Sequence, residues 1–363
     1  MASSRITGNN EQISTYGDGT RDFTSLSTWE VAKQADLVTA AKSEVLECFD
    51  DATSFDDSIT FSGSTTDASF FLIVRAAAGE GHDGTPNNGV FFSTTTNVNV
   101  FLTLDEFCSV QDVIVKLVLN DDDNRACYRA GSTGGDTKFI GVIAFDSRND
   151  HSNGVMRGCV LNSDKSIIVN CLFTNIIGKG MQFIPGSGKT AYAYNCTSTD
   201  NSETGFDNFT GTGIAKNCLS NGNTGEDFDT GGVWTGSSHV ASGDDTADNV
   251  DATNGRINQT FTFVNAAGDD FHLASTDAGA RNFGLALDSD SFFAFDDDID
   301  ATTRPGESTW DIGFDEFLPT GTIVTPSPVT AIGAVAGPTV VLGSLLLTAH
   351  RGICDWQGNR SCR

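Results

Sequence analysis

The chain is short of basic residues. Its 363 residues hold 21 Lys+Arg against 48 Asp+Glu, a formal net charge of −27 at pH 7. No basic run or basic helix is present to neutralise phosphates and release counterions, so the sequence argues against nucleic acid as a partner. The acid surplus instead keeps a large exposed surface soluble, most of all where salt screens its self-repulsion. Only 3 methionines occur, and windows rich in Glu, Lys and Leu are few, which leaves little room for helices. The 9 cysteines contain no Cys-x-x-C, so zinc-ribbon and thioredoxin-type sites lack their spacing. The first 19 residues carry no apolar stretch and do not read as a secretory leader.

What the chain does have is turn chemistry: 39 Gly, with abundant Ser, Thr, Asn and Asp between runs of β-branched residues, the composition of β structure with many turns. A short phrase then returns three times, as IIVNCLFTN around Asn170-Cys171, AYAYNCTSTDN around Asn195-Cys196 and GIAKNCLSNGN around Asn217-Cys218. The Asn-Cys pairs are 25 and 22 residues apart, and each is followed by a Gly-led second segment. That period predicts a β-solenoid, in which each repeat buries its apolar face only by stacking on its neighbours. Cys159, Cys171, Cys196 and Cys218 are read as inward, repeat-equivalent and reduced, small hydrophobes in a stack. The Asn before each Cys is expected at a bend, its amide bonded to backbone or to the next Asn in a ladder.

Taken in order, the chain begins with a polar lead-in. At 22–37, DFTSLSTWEVAKQADL places Leu26, Trp29, Ala32 and Leu37 at helical spacing, with Ser27 as N-cap and Glu30 completing a capping box. This helix is expected to cover the first coil, whose open end would expose core and unpaired strand edge. From 45 to 119 short strands follow, several apolar on consecutive residues, as strands packed on both faces are. FIPGSGKT at 183–190 lacks the first glycine of a phosphate loop and is read as a turn. Residues 234–258 are polar and Asp-rich, read as a loop or side excursion. The last 45 residues change character to Pro, Thr and Val; 329–348 is long enough for a membrane span, but Pro338, three glycines and β-branched residues favour an extended linker.

FVNAAGDDFHLAS at 263–275, DDDIDATTRPG at 296–306 and WDIGFDEF at 310–317 resemble, in that order, the C-terminal end of right-handed parallel β-helix proteins of the pectate-lyase-like superfamily, in versions common in phage and environmental viral sequences. GDGTRDFTSLSTWEVAKQADL at 17–37 is similar to the N-terminal cap of the same group. The resemblance spans about residues 15–318 and implies an all-β fold, a right-handed single-stranded parallel β-helix (β-solenoid). Its parts would be a lead-in and capping helix at 1–44, the helix at 45–318, and an extended or β tail or attachment module at 319–363. It also implies a structural virion protein of a phage, made in the host cytoplasm, exposed on the particle surface and extracellular after lysis. The partners would be other virion proteins and host surface polysaccharide; spikes of this architecture often trimerise, but no coiled-coil heptad marks a trimer here and the oligomeric state stays open.

Two other functions stay open: a polysaccharide depolymerase and a cell-surface adhesin held by the tail. In enzymes with this fold, lyases use Ca²⁺ with an Arg or Lys base, and hydrolases use clustered Asp. Neither set is complete here. The acidic candidates are Asp207, Asp227 and Asp229, on the second segments of the repeat. Trp234, Tyr192 and Tyr194, with Phe206 and Phe209, are candidates for stacking on sugars. Asp296, Asp297, Asp298 and Asp300 are the candidate ligands of a Ca²⁺ ion, which wants six to eight oxygens; no other cofactor is implied.

Overall fold

A computed structural model describes residues 3–131, 135–151, 154–229 and 231–319. The chain divides into two units, 1–320 and 321–363. The tail beyond residue 319 lies outside the described residues, and with it the membrane-span and attachment expectations, a Gly333-x-x-x-Gly337 pattern of the kind that packs membrane helices, and a Cys354–Cys362 pairing that the sequence permits without requiring. Among the described residues no helix is long and apolar enough to cross a membrane.

The first unit is all-β, built from three long parallel sheets that the chain visits in turn. Sheet 1 runs through Gln12–Tyr16, Glu44–Cys48, Leu72–Ala76, Cys108–Gln111, Lys138–Ile140, Ile167–Val169, Thr190–Tyr194 and Thr212–Lys216. Sheet 2 includes Ile114–Leu119, Ile143–Phe145, Leu172–Thr174, Thr197–Thr199, Leu219–Asn221 and Ala241–Ser242. Sheet 3 runs through Ile59–Phe61, Phe101–Thr103, Arg125–Ala130, Met156–Leu161, Gly178–Phe183 and Phe206–Asn208. This topology is compatible with a solenoid.

The repeated phrase sits at the corner between sheets 1 and 2. In-register pairing of Gln111 with Ile140, Ile140 with Val169, Val169 with Tyr194 and Tyr194 with Lys216 aligns the residues that follow: Asp112, Gly141, Asn170, Asn195, Asn217 and, after the Lys216–Ser238 bridge, His239. All six hold φ between +50° and +57°, the left-handed region that Gly, Asn and Asp tolerate best. A single residue there turns the chain from one sheet into the next. The next position along is inward and holds Val113, Val142, Cys171, Cys196, Cys218 and Val240, all fully buried. Burial and the adjoining Cys171 and Cys218 thiols push the Cys196 thiol well above its ordinary pKa. Cys159 is buried and reduced too, but it is no member of this stack: it lies in sheet 3, level with Tyr128 and Met181.

The amide ladder forms in part. Asn217 Nδ2 donates to Asn195 Oδ1 at 2.9 Å, while Asn170 Oδ1 and Asn195 Nδ2 are buried without a partner. A second polar column lies just beyond it, within the core. Asn201 Nδ2 donates to Asn223 Oδ1 at 2.8 Å and to Ser198 Oγ at 3.0 Å, and Asn223 Nδ2 donates to Ser220 Oγ at 3.0 Å. The equivalent positions one repeat earlier hold Phe173 and Ile176, so a buried apolar pair is replaced by a satisfied Ser/Asn pair.

Leu26–Lys33 is helical, with Leu26 and Trp29 buried and the Trp29 ring edge-on to Phe61. Its N-cap is Ser25 rather than Ser27. Ser25 Oγ accepts from Thr28 N at 3.4 Å, and Asp57, from a distant loop, accepts the Leu26 N–H at 2.7 Å. Glu30 turns away from the cap to accept Ser62 N–H at 3.0 Å, so a tertiary partner overrides the local capping box. The polar stretch after Trp234 is less of an excursion than its composition suggests. It supplies Ala241–Ser242 to sheet 2 and a short helix, Ala247–Val250, whose Ala247 and Val250 join the core cluster.

The segment beyond residue 258 runs along the outside. Leu287, Phe295 and Trp310 pack on the outward side chains Ile167, Val169 and Tyr194 of sheet 1. Phe271, Ile299 and Phe314 pack on Ile114, Ile143 and Leu172 of sheet 2, and Leu273, Ala280 and Ile312 pack on Leu219 and Ala241. Sheets 1 and 2 are therefore apolar on both faces, as the consecutive apolar residues in their strands require. The apolar clusters of this outer layer involve no strand of sheet 3.

Candidate functional site

Sheet 3 thus keeps a polar outer face. Register places Leu102, Arg129, Val160, Gln182 and Asp207 side by side across it, with Asp229 next after the Phe206–Phe228 bridge. Arg157 and Lys179 form a neighbouring pair. Arg157, Lys179 and Gln182 line an open groove of about 780 Å³, whose walls also include Asn162, Glu203 and Phe209.

Arg157 is the unusual member. It is only 9% exposed, and among the described residues no carboxylate lies within ion-pair distance of it. Its Nη1 donates to Val155 O at 3.2 Å, and its buried Nε has no partner. Burial, with Arg129 adding repulsion, lowers its pKa from the ordinary arginine value. Lys179, by contrast, is ion-paired with Asp207 Oδ2, which also accepts from Gln182 Nε2 at 2.6 Å. The other Asp207 oxygen is buried and unpartnered. Phe209 stands 66% exposed at the groove edge.

A guanidinium recognises carboxylate or sulfate. An exposed ring offers a flat apolar face to a sugar. Together these match an acidic saccharide.

The sequence candidates divide sharply. Asp207 and Asp229 are register neighbours, but Asp207 is committed to Lys179 and Gln182, and Asp229 accepts from Gly231 N–H. Asp227 is buried and organises the last turn, accepting from Asn223 Nδ2 at 2.7 Å and Gly243 N at 2.8 Å; burial, with Asp244 nearby, raises its pKa. No free carboxylate pair results.

Trp234 is no sugar platform. It is 6% exposed, with its ring against Phe183 and Phe228 and Nε1 donating to Asp229 O at 2.9 Å. Phe206 stacks on Phe228 within the core. Tyr192 and Tyr194 face sheet 1's outer side, where the C-terminal layer covers them: Tyr192 stacks on Phe292 at 3.7 Å, and Tyr194 lies beside Asp290 and beneath Lys216. Only Phe209 keeps the role its exposure allows.

The Ca²⁺ candidates also disperse. Asp297 accepts from Ser3 Oγ and Ser4 N, both at 2.9 Å, and pairs with Arg5. Asp298 accepts backbone N–H groups from Asp300, Thr302 and Glu316. Asp296 accepts Arg304 N on its carbonyl at 2.7 Å. Asp300 alone points outward, to His272. Tight turns aim N–H groups at their own carboxylates, and so compete with a metal for the same oxygens.

Among the other histidines, His82 is buried with Nδ1 accepting Gly84 N–H, His151 pairs with Asp122, and His239 completes the left-handed column. The Pro-Gly-Ser-Gly stretch forms the turn between Gly178–Phe183 and Thr190–Tyr194, closed by Lys189 N on Gly186 O. Sequence reading missed Arg157 and Lys179. Their signal is faint: two of 21 basic residues, in the Met-Arg-Gly and Gly-Lys-Gly starts of consecutive sheet-3 strands. No family model, curated protein or solved structure matches the chain.

Proposed function

We propose that the chain is a right-handed parallel β-helix, its first coil covered by the helix Leu26–Lys33, that displays sheet 3 outward to bind an acidic glycan without cleaving it. The observation that carries the binding reading is Arg157: a nearly buried guanidinium with an unpartnered Nε, in the same groove as an exposed Phe209. A desolvated guanidinium with an N–H left without an acceptor is costly unless a ligand completes it. The commitment of Asp207 and Asp227 to internal partners weighs against a hydrolase, and the pairing of Lys179 with Asp207 weighs against Lys179 as a lyase base.

Placement on a phage particle rests on the resemblance of residues 17–37 and 263–317 to virion-associated β-helix proteins. Mass spectrometry of purified particles tests it, and absence of the chain from them defeats it. For binding, the full chain is titrated with polygalacturonate and with neutral dextran at low and at physiological salt. The acidic polymer should bind and the neutral one should not. Arg157→Ala and Phe209→Ala should each weaken binding at least about tenfold, the loss of roughly one charge-assisted or stacking contact. Equal binding of both polymers, or retention by Arg157→Ala, sinks the reading. Release of unsaturated or reducing ends would replace it with the depolymerase.

A further inference from the structure

A second group of polar side chains lies on the opposite layer, far in sequence from sheet 3. Strand Asp270–Leu273 pairs antiparallel with Phe263–Asn265 in the segment that covers sheet 2. On it, His272 is held at both ring nitrogens: Nδ1 lies 2.6 Å from Asp270 Oδ1, and Nε2 lies 3.0 Å from Asp300 Oδ2. Asp315 approaches from the closing stretch, 5% exposed, with Oδ2 accepting Leu273 N at 2.6 Å. Ligand atoms of His272, Asp300 and Asp315 all lie within 4.8 Å of one another.

Two further observations single this group out from ordinary acidic turns. Three carboxylates, Asp270, Asp300 and Asp315, face one imidazole, and Asp315 is nearly buried, with the Leu273 N–H donating to its Oδ2. Beside the donors sits Gly84, at φ +78°, where a Cβ would clash with His272 Nε2 and come within 2.9 Å of Asp300 Oδ1. Glycine at that position keeps open the space that the donor atoms share.

We propose that His272 Nε2, with one oxygen each from Asp300 and Asp315, binds a divalent transition-metal ion, Zn²⁺ first among them, with Asp270 orienting the imidazole through Nδ1–H. One imidazole and two carboxylates make a neutral complex with a dication, and leave a fourth position for water. The imidazole selects against Ca²⁺ and Mg²⁺, which prefer all-oxygen shells. A carboxylate on the far ring nitrogen is the usual support for a metal-bound histidine. On binding, the proton between Nε2 and Asp300 leaves to solvent and the ion takes its place. The ligands come from three stretches of the outer layer, so the ion acts as a staple. It would tie the hairpin, the Asp300 turn and the closing stretch together above Phe271, Ile299 and Phe314, which pack on sheet 2.

The test titrates Zn²⁺, and separately Co²⁺ and Ca²⁺, into the metal-free full chain by calorimetry and absorption. One Zn²⁺ should bind with proton release, and Co²⁺ should give visible ligand-field bands without the thiolate charge-transfer band that a site at Cys354 or Cys362 would add. His272→Gln and Asp315→Asn should abolish that site, while near-UV circular dichroism shows the inner core intact. Asp270→Asn should keep the site but weaken it about tenfold or more. Zn²⁺ binding unchanged in His272→Gln, a Co²⁺ spectrum carrying only thiolate bands, or Ca²⁺ binding as tightly as Zn²⁺ would each overturn the proposal.

Discussion

The inner circuits and the outer layer are stabilised by opposite means. Inside, the material is apolar and reduced: Phe92, Phe101, Tyr128 and Phe139 run in contact down the core, and the cysteine stack continues it. Many buried polar groups there are neutral amides and hydroxyls in columns, such as Asn201–Asn223, with Asp207 and Asp227 as charged exceptions toward the end of the stack. The outer layer also buries apolar side chains, but it is fastened with charge. Arg304 and Glu316 form a fully buried ion pair at 3.1 Å. Arg5 spans Asp112 and the carbonyls of Asp298 and Ile299, and Asp298, Asp311 and Asp315 are buried carboxyls bonded to backbone N–H groups. A stacked repeat can propagate neutral contacts from coil to coil. A segment with no repeat must fix each of its turns individually, and buried carboxylates with N–H partners do that at the expense of desolvation.

Core truncation should give the largest effect and break the inner region alone. Phe173→Ala removes a fully buried ring and should cost about 3–5 kcal/mol. Chemical denaturation should show it as a lower midpoint for the circuits, with the outer layer lost along with its platform. An outer layer that survived the loss of the inner circuits would show that it folds independently, and the comparison would collapse.

Arg304→Met should break the other side. It leaves Glu316 buried with Gly306 and Asp311 N–H donors but no cation, a change expected to cost about 3 kcal/mol or more. Hydrogen exchange should speed up at 296–317 and stay slow in the cysteine-bearing strands. Uniform acceleration across both regions would mean that the two open as one unit.

Acidity should separate the regions with no mutation. Burial, first of all, pushes Asp315 up to about 6, Asp311 to about 7 and Asp298 to about 8. A carboxyl held above its unfolded value binds more protons folded than unfolded. Its contribution to stability is therefore lost as pH rises from about 4 through these values. His272 is raised to about 10 against burial, chiefly by its bond to Asp300. Its contribution is complete below about 6.5 and is lost as pH climbs through 10. Both run the same way, so exchange in the outer layer should quicken steadily from pH 5 to pH 9 beyond its intrinsic increase. The inner strands whose buried titratable groups are thiols and phenols pushed upward by burial, such as those holding Cys127, Tyr128 and Cys196, should show no such excess, whereas the turn at Asp227, raised by burial as well, should follow the outer layer.

The two regions were also unequally legible. Repeat spacing, the left-handed asparagines and the inward cysteines at 171, 196 and 218 could be read because one physical requirement recurs at each corner. The helix at Trp29 was readable from its period, though its cap was not, because Asp57 and Ser62 lie far along the chain from the atoms they bond. The outer layer offered acid-rich turns with scattered Phe, Ile and Trp. Which aspartates turn inward depends on N–H groups that only the folded turn brings near. Trp234 and Tyr192 misled for the same reason: aromatic residues in polar surroundings suggest exposure, yet Phe183 and Phe292 cover them. The basic pair on sheet 3 could be found only once register set Arg157 beside Lys179.

Asn217 belongs to both regions, and replacing it gives the smallest and most discriminating change. It holds φ at +52° for the corner and donates to Asn195 within the inner ladder. It also accepts Leu285 N at 2.7 Å and donates to Leu285 O at 2.8 Å, which docks the outer layer on the corner. Asn217→Gly keeps the left-handed backbone and removes only the amide, so it should cost about 1 kcal/mol, read as faster exchange near Leu285. Asn217→Ala loses the same amide and adds the left-handed penalty of about 1–2 kcal/mol, which falls on the corner itself. Subtracting one variant from the other separates backbone turn from docking bond. If the two behave alike, the corner conformation contributes nothing measurable, and the asparagine is retained for the outer layer rather than for the repeat that makes it visible.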